Sequence, residues 1–279
     1  MQTTTNIENL FRLNRLPHIW CPGCGNGIIV NAVQKAIYES GLDKDKTVIV
    51  SGIGCSSRAT GYMNFDTLHT THGRAITFAT GIKLARPELN VIVLTGDGDC
   101  AAIGGNHLIH AARRNIDLNV IMFNNSIYGM TGGQFSPMTP HGRLATTSPY
   151  GNLERTFDIC KLAECAGASY VGRSTVYHVQ LLVNLIKKAI ENKGFSFVEA
   201  ISICPISYGR RNKLGDAPKM LEWLKEHAVN IKAAQKMEPE KLKDKFLIGE
   251  MYHGEAPEYT QLYDELIAKL QKGAEKDVR

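Results

Sequence analysis

Short apolar runs that alternate with glycine-rich turns and helical segments constrain the fold of this chain more than any other feature. Four such runs, rich in β-branched residues, occur over residues 48–50, 91–94, 120–123 and 195–198. A polar or glycine-rich turn follows most of them. Strands that are apolar along their whole length are typical of a parallel sheet covered on both faces. We therefore predict an α/β fold with a doubly wound, mostly parallel sheet and helices on both faces.

Helical periodicity fills the gaps between these runs, over residues 26–40, 74–84, 105–114 and 176–191. Ligands of an open α/β sheet bind beyond the carboxyl ends of the strands, where the turns of this chain fall. After about residue 216 the sequence becomes polar, with amphipathic helices predicted over 220–237 and 259–272. We therefore predict an α/β domain over 1–215 and a helical C-terminal extension over 216–279, which packs on the domain or on a partner subunit.

Composition and charge exclude several classes of protein. With 43% hydrophobic and 21% charged residues, the chain can bury a sizeable core. Its net charge of +5 comes without a dense basic stripe, which argues against nucleic acid and weakly favours an acidic protein partner. Residues 1–8 are polar with no apolar signal segment behind them, and no run approaches a membrane span. We expect a soluble, cytoplasmic protein with no membrane or nucleic-acid partner.

A Gly-Asp-Gly motif at residues 96–98, followed by an Asn-Asn pair at 124–125, is the sharpest chemical signal. A predicted strand precedes each motif, so a strand–helix–strand unit would bring Asp97 and Asn125 to adjacent strand ends. Mg2+ prefers hard oxygen ligands and typically takes one or two carboxylates with phosphate oxygens. Asp97, the Asn125 amide oxygen and the Ile127 carbonyl oxygen would supply such ligands, and the glycines would let phosphates approach the backbone. The spacing favours this site over an ordinary turn.

A second glycine-rich turn, at residues 52–54, superficially suggests a dinucleotide site. The third glycine of that motif is missing, because position 57 is Ser, and no acidic residue ends a second strand at the expected offset. We therefore exclude NAD.

Clustered cysteines in a chain without a disulfide framework indicate metal binding or redox chemistry. Cys21 and Cys24 form a tight Cys-x-x-Cys turn, while Cys55 and Cys204 each follow a predicted strand. Four thiolates suit a cubane iron–sulfur cluster. The spacing alone leaves a cluster, a zinc site and a redox dithiol equally open.

Several motifs resemble the β subunits of 2-oxoacid:ferredoxin oxidoreductases and occur in that family's order, over about residues 16–212. Segments 17–20 and 210–212 are most similar to the 2-oxoglutarate branch of the family. The motifs are Trp20-Cys21-Pro22-Gly23-Cys24-Gly25, Gly52-Ile53-Gly54-Cys55-Ser56, Thr71-His72-Gly73-Arg74, Gly96-Asp97-Gly98-Asp99, Asn106-His107 to Arg113-Arg114-Asn115, and Asn125 to Tyr128-Gly129-Met130-Thr131-Gly132-Gly133-Gln134.

The resemblance implies three cofactors: thiamine diphosphate, Mg2+ and one 4Fe-4S cluster. The cluster ligands would be Cys21, Cys24, Cys55 and Cys204, and the Mg2+ ligands Asp97, Asn125 and Ile127. Thiamine diphosphate would contact Ile53, Gly54, Cys55, Ser56, His72, Gly96, Asp97, Gly98, Asp99, Asn125 and Ile127. Three other cysteines match no ligand position: Cys100, Cys160 and Cys165. Cys160 and Cys165 lie on a predicted helix, and we expect their thiols to be buried.

The activity implied by the resemblance is coenzyme A-dependent oxidative decarboxylation of a 2-oxoacid, 2-oxoglutarate before pyruvate or branched 2-oxoacids, with electrons passed through the cluster to ferredoxin. Activating thiamine diphosphate takes a carboxylate, yet residues 41–87 contain no Glu. We therefore expect an obligate α subunit to supply that glutamate and most contacts to the 2-oxoacid.

Two other functions stay open at this point. Another thiamine diphosphate enzyme, such as a carboligase or decarboxylase, would leave the four cysteines without a role. A non-catalytic, cysteine-rich metal-binding module would leave Asp97 and Asn125 without one. For His107 and His110, three residues apart on a predicted helix, we favour packing or hydrogen bonding over a metal.

Overall fold

The computed structural model describes residues 7–277, with side chains described as far as Lys272. The first six residues of the predicted α/β domain and the last two of the predicted extension lie outside this range. No helix in residues 7–277 combines the length and apolar character needed to cross a membrane.

Eight strands form one sheet in the order β2-β1-β3-β4-β6-β5-β8-β7. The six that end before residue 202 are all parallel to their neighbours among themselves, and β8 runs antiparallel to β5. The predicted parallel sheet is therefore confirmed. The strands are β1 Thr47–Ser51, β2 Asp66–His69, β3 Asn90–Gly96, β4 Asn119–Asn124, β5 Tyr170–Thr175, β6 Ser196–Ile201, β7 Ala228–Asn230 and β8 Phe246–His253.

Helices cover both faces of the sheet, because alternate residues of each central strand enter two separate cores. In β3, Ile92 packs on the face of α1 and α5, whereas Val91 and Val93 pack on the face of α2, α3 and α4. The helices are α1 Asn26–Glu39, α2 Ala75–Ala85, α3 Gly105–Ala112, α4 Ile159–Cys165, α5 Val179–Glu191, α6 Ala217–His227, α7 Ile231–Ala234 and α8 Tyr259–Asp277. This confirms the doubly wound arrangement.

The C-terminal part departs from the predicted run of helices. The expected continuous helix over 220–237 is wrong: α6 ends at His227, and β7 and the short α7 follow it. Strand β8 then joins the sheet antiparallel to β5, with a register shift between Val171 and Gly172, and β7 forms the edge of the sheet beyond it. Gly249 and Glu250 follow the short apolar start of β8, and only part of the strand is buried, so its sequence lacks the fully apolar character of a central parallel strand. The final helix, α8, begins at Tyr259 as predicted.

Because the strands are parallel, the turns that carry the predicted site residues lie together at the carboxyl ends of the strands. Strands β1, β3, β4 and β6 lie side by side, and their carboxyl ends lead into Cys55, Asp97, Asn125 and Cys204. Gly96 pairs with Phe123 and Asn124 with Ile201, so these strands end at nearly the same level. The fold thus brings residues far apart in sequence to a single crevice.

Candidate functional site

A cavity of about 160 Å³ lies at the carboxyl ends of these strands. Every residue predicted to contact thiamine diphosphate lines it: Ile53, Gly54, Cys55, Ser56, His72, Gly96, Asp97, Gly98, Asp99, Asn125 and Ile127. The structure therefore brings the predicted set together, while their contact with a cofactor stays a prediction. Asn26, for which the sequence predicts no role, also lines this cavity.

Asp97 is the buried carboxylate of the cavity. Ser136 Oγ donates a hydrogen bond to Asp97 Oδ2 at 2.6 Å. Burial raises the pKa of Asp97 to about 7, against the opposing effect of donors from Ser136 and from the backbone N–H groups of Gly98 and Ile127. A carboxylate this poorly solvated gains from a bound cation, because opposite charge favours its ionised form. Asp97 therefore fits the role of a Mg2+ ligand.

The turn that follows β4 is fixed by three hydrogen bonds. Ser126 takes a left-handed conformation with φ of 61°, and its N–H donates to Asn124 Oδ1 at 3.0 Å. Asn124 Nδ2 in turn donates to Glu199 Oε1 at 2.7 Å. From the other side, Thr139 Oγ1 donates to Ser126 O at 2.6 Å. The segment that carries Asn125 is thus held in place by the protein itself.

Asp99 ties three parts of the cavity wall together. Its carboxylate accepts from the Gly73 N–H at 2.6 Å and from Thr95 Oγ1 at 2.8 Å, and it lies 2.6 Å from His72 Nδ1. The Ile53 N–H also donates to it at 3.2 Å. With Asp99 bonded to Nδ1, the other nitrogen of the His72 ring stays available to a ligand. Asp99 therefore orients His72 as well as lining the cavity.

Two glycines are required by close packing around these carboxylates. A Cβ at Gly52 would overlap the Asp99 carboxylate, and one at Gly98 would overlap the ring of Tyr128. Tyr128 Oη donates to Gly98 O at 3.2 Å, which holds the ring against the motif. Any larger residue at either position would displace the wall of the cavity.

Unsatisfied polar atoms in the wall indicate that the cavity is made for a polar ligand. Asn26 is fully buried, and neither its Oδ1 nor its Nδ2 has a hydrogen-bond partner in the described part of the chain. The same is true of Ser56 Oγ. Buried polar groups are normally paired, so such groups around a cavity point to a missing hydrogen-bonding partner. The residues present therefore fit a phosphorylated cofactor with a divalent ion.

The four predicted cluster cysteines converge beside this cavity. A Cβ at Gly129 would lie 3.5 Å from Cys55 Sγ and 3.7 Å from Cys204 Sγ. Burial, together with negative charge on Cys204, Cys55 and Cys21, raises the pKa of Cys24 to about 12. For Cys55, burial and the same mutual repulsion raise the pKa to about 11. These thiols would ionise together only with bound metal to offset their charge.

Within residues 7–277, no three His, Cys, Asp or Glu side chains are grouped as ligands of a single metal ion. In a cubane each cysteine binds a different iron, so its four ligands are spread more widely than those of one ion. The cysteine arrangement is compatible with a cluster, and the cluster itself stays a prediction.

The remaining cysteines differ from one another. Cys100 and Cys160 are buried, and the Cys160 thiol donates to Glu199 Oε2 at 3.3 Å. Cys165 is exposed, so the expectation of a buried thiol there is wrong. It lies at the last turn of α4, where the helix surface faces solvent.

The two histidines of α3 are partly exposed. Burial and the nearby Arg74 lower the pKa of His107, and Arg113 Nε donates to His110 Nδ1 at 3.2 Å. This hydrogen bond agrees with the local role favoured by the sequence.

A larger cavity, of about 420 Å³, lies on the other side of Asn125 under α6 and β8. Its lining is mostly apolar, but the buried pair Arg173 and Glu199 forms one wall. Glu199 is bonded to Arg173 and Asn124, and no Glu of residues 7–277 lines the smaller cofactor cavity.

Comparison with known proteins links this crevice to one group of enzymes. Residues 52–200 match the family model described as thiamine pyrophosphate enzyme, C-terminal TPP binding domain. A 2-oxoglutarate synthase subunit KorB from Methanothermobacter marburgensis is 57% identical over 88% of this chain and 87% of its own length. The subunit of the same name from Methanocaldococcus jannaschii is 55% identical over 93% of this chain and 96% of its own.

A solved structure is also similar along nearly the whole chain. It is a 2-oxoglutarate:ferredoxin oxidoreductase from Magnetococcus marinus with 2-oxoglutarate, coenzyme A and succinyl-CoA bound. The match has a TM-score of 0.86 at 33% identity and covers 96% of this chain and 91% of that one.

Proposed function

Because this chain belongs to the β subunits of 2-oxoacid:ferredoxin oxidoreductases, we propose that it is the thiamine-diphosphate-binding subunit of an enzyme that converts 2-oxoglutarate and coenzyme A to succinyl-CoA and carbon dioxide. Two electrons released per turnover pass to ferredoxin. Names of relatives 55% and 57% identical, and the ligands of the similar solved enzyme, support 2-oxoglutarate as the substrate.

The observation that carries this proposal is the position of Cys55. Cys55 lines the cavity of Asp97 and Asn125. Its Sγ and the Sγ of Cys204 both lie beside Gly129. A site for a phosphorylated cofactor and a set of four thiols thus share one residue. A thiamine enzyme without electron transfer has no use for that arrangement.

The residues of this chain bind and orient the cofactors. Asp97, Asn125 and the Ile127 carbonyl would hold Mg2+, and Ser56, His72 and backbone N–H groups would face the diphosphate. Bound thiamine diphosphate supplies the electron sink that decarboxylation of a 2-oxoacid requires. The cysteine ligands would keep the iron–sulfur cluster beside it to receive single electrons.

A separate α subunit completes the active site in this proposal. The cofactor cavity has no Glu in its wall, and Glu199, nearby, is occupied by Arg173 and Asn124. The carboxylate that activates the cofactor must then come from another chain. The names of the relatives, which describe them as subunits, agree with this.

Anaerobic reconstitution tests the proposal. We expect the chain co-produced with its α subunit to reduce ferredoxin with 2-oxoglutarate and coenzyme A faster than with pyruvate, and the chain alone to be inactive. About four irons with matching sulfide per chain are expected from the four cysteine ligands. Full activity of the chain alone, or bound zinc in place of iron, would contradict it.

A further inference from the structure

The segments that carry the four predicted cluster cysteines differ in charge from the rest of the molecule. Residues 9–38, 52–65 and 200–215 contain seven Lys or Arg residues and no Asp or Glu. This exceeds the net charge of +5 of the whole chain, so the remainder of the chain is net acidic. The net positive charge of the protein therefore lies in the cysteine-bearing segments.

These segments pack against one another in the fold. Trp20 Nε1 donates to Cys55 O at 2.7 Å, which joins the first segment to the second. The Gly25 N–H donates to Ile203 O at 3.2 Å, which joins the first segment to the third. The first segment thus contacts both of the others close to the turn of Cys21.

The three segments carry exposed cations and exposed apolar side chains. We call the following exposed cations the basic patch; none of them forms an ion pair with a side chain of residues 7–272: Arg15, Arg58, Arg210, Arg211 and Lys213. Cys21 is itself exposed, unlike the other three predicted ligands. Close to it in the chain, Leu13, Leu16 and Ile19 are 59%, 44% and 67% exposed.

We propose that the basic patch is the docking surface of an acidic one-electron carrier protein, which takes electrons at Cys21. The proposal rests on the proposed function, since the cluster is the electron donor. An exposed ligand brings the cluster close to solvent, so a docked carrier needs no long path through protein. Unpaired cations steer an acidic partner to this face, and a few apolar side chains give a small contact that separates quickly.

The electron count requires repeated docking. Oxidation of one 2-oxoacid with coenzyme A gives a thioester, carbon dioxide, one proton and two electrons. Each encounter oxidises the cluster by one electron and reduces one carrier, so two carriers are reduced per turnover. A transient, charge-steered contact is suited to that cycle, because the reduced carrier must leave before the next arrives.

The test compares two double variants in the complete αβ complex. Arg15→Gln/Lys213→Gln removes two charges of the basic patch. Lys44→Gln/Lys46→Gln removes two exposed charges at the amino end of β1, whereas Cys55 follows the carboxyl end of the same strand. The first readout is the dissociation constant of a small acidic ferredoxin for the oxidised complex without substrate. The second is the turnover rate with ferredoxin or with a small uncharged quinone as acceptor.

We expect the patch variant to bind ferredoxin on the order of tenfold more weakly at low salt, and to reduce it correspondingly slower. The control variant should match the unaltered complex, and quinone reduction should be unchanged in both. Equal ferredoxin affinity in the two variants would overturn the proposal. So would loss of the α subunit from the patch variant in size-exclusion chromatography, since the patch would then be a subunit interface.

Failure of the proposed function has a different signature. In that case the unaltered complex reduces neither quinone nor ferredoxin with 2-oxoglutarate. The substrate-free titration still reports on docking, because it needs no turnover.

Discussion

Two halves of the crevice are constructed in different ways. The magnesium half, Asp97, Asn125 and Ile127, is buried, and hydrogen bonds from Ser136 Oγ to Asp97 and from the Ser126 N–H to Asn124 Oδ1 fix its turns. The cysteine half, Cys21, Cys24, Cys55 and Cys204, lies on turns at the surface, where Cys21 is exposed and the other three are partly exposed. The first half keeps its shape through the protein's own bonds, whereas the second depends on its metal to keep four thiols together.

The largest expected effect is in the magnesium half. We expect Asp97→Asn to weaken Mg2+-dependent binding of thiamine diphosphate by at least about 100-fold, because the only carboxylate of the predicted Mg2+ ligands is lost. Anaerobic calorimetric titration measures this. Asp66→Asn, at an exposed aspartate that begins β2, is the control. Loss of iron from the Asp97 variant would show that the halves are not independent.

A complementary substitution addresses the cysteine half. We expect Cys204→Ser to lower the iron content well below four per chain and the melting temperature by about 5 °C, since bound metal contributes to folding. Affinity for thiamine diphosphate should change by less than about twofold. Iron analysis, thermal melts and titration test these points, with the exposed Cys165→Ser as control. A full cluster in the Cys204 variant would contradict the ligand assignment.

A smaller effect is expected from a residue that touches a predicted ligand but not the metal. Ser136→Ala removes the 2.6 Å hydrogen bond to Asp97 Oδ2. Loss of such a supporting bond typically weakens metal binding 10–100-fold, and we expect about tenfold here. Ser174→Ala, a buried serine bonded to His178 O elsewhere, controls for removal of a hydroxyl. Unchanged Mg2+ affinity would mean that the magnesium half keeps its shape without this bond.

The last expected effect concerns the pH dependence of the stability of the metal-free chain. Burial raises the pKa of Asp97 from 3.8 to about 7, so between these values the folded chain binds a proton that the unfolded chain has released. Its stabilising contribution is complete below the unfolded pKa and is lost as pH rises through about 7.

Between about pH 5.5 and 7.5, this linkage lowers the free energy of unfolding by about 2 kcal/mol relative to Asp97→Asn. Urea unfolding of both proteins at the two pH values measures the difference. Parallel pH dependence of the two proteins would show that Asp97 is ionised in the folded chain throughout.

Sequence patterns predicted the strand-end residues because parallel strands place their carboxyl ends together. Asp97 and Asn125 needed only a strand–helix–strand unit to be located. Ser136 and Asn26 were missed because their contacts are made by tertiary closure of a loop and a helix start, which leaves no periodic signal. Strand β8 was missed because Gly249 and Glu250 interrupt its apolar residues, unlike Val91 to Leu94, and because only two of its eight residues are buried.

The turn that carries Cys55 limits how this crevice could be transplanted into another protein. Two hydrogen bonds hold the turn, one from the Ile53 N–H to Asp99 and one from Trp20 Nε1 to Cys55 O. Transplanting the diphosphate pocket alone into another parallel sheet would leave that turn without its second anchor. The transferable module is therefore larger than the Gly-Asp-Gly fingerprint, and includes the tryptophan that precedes the first cysteine.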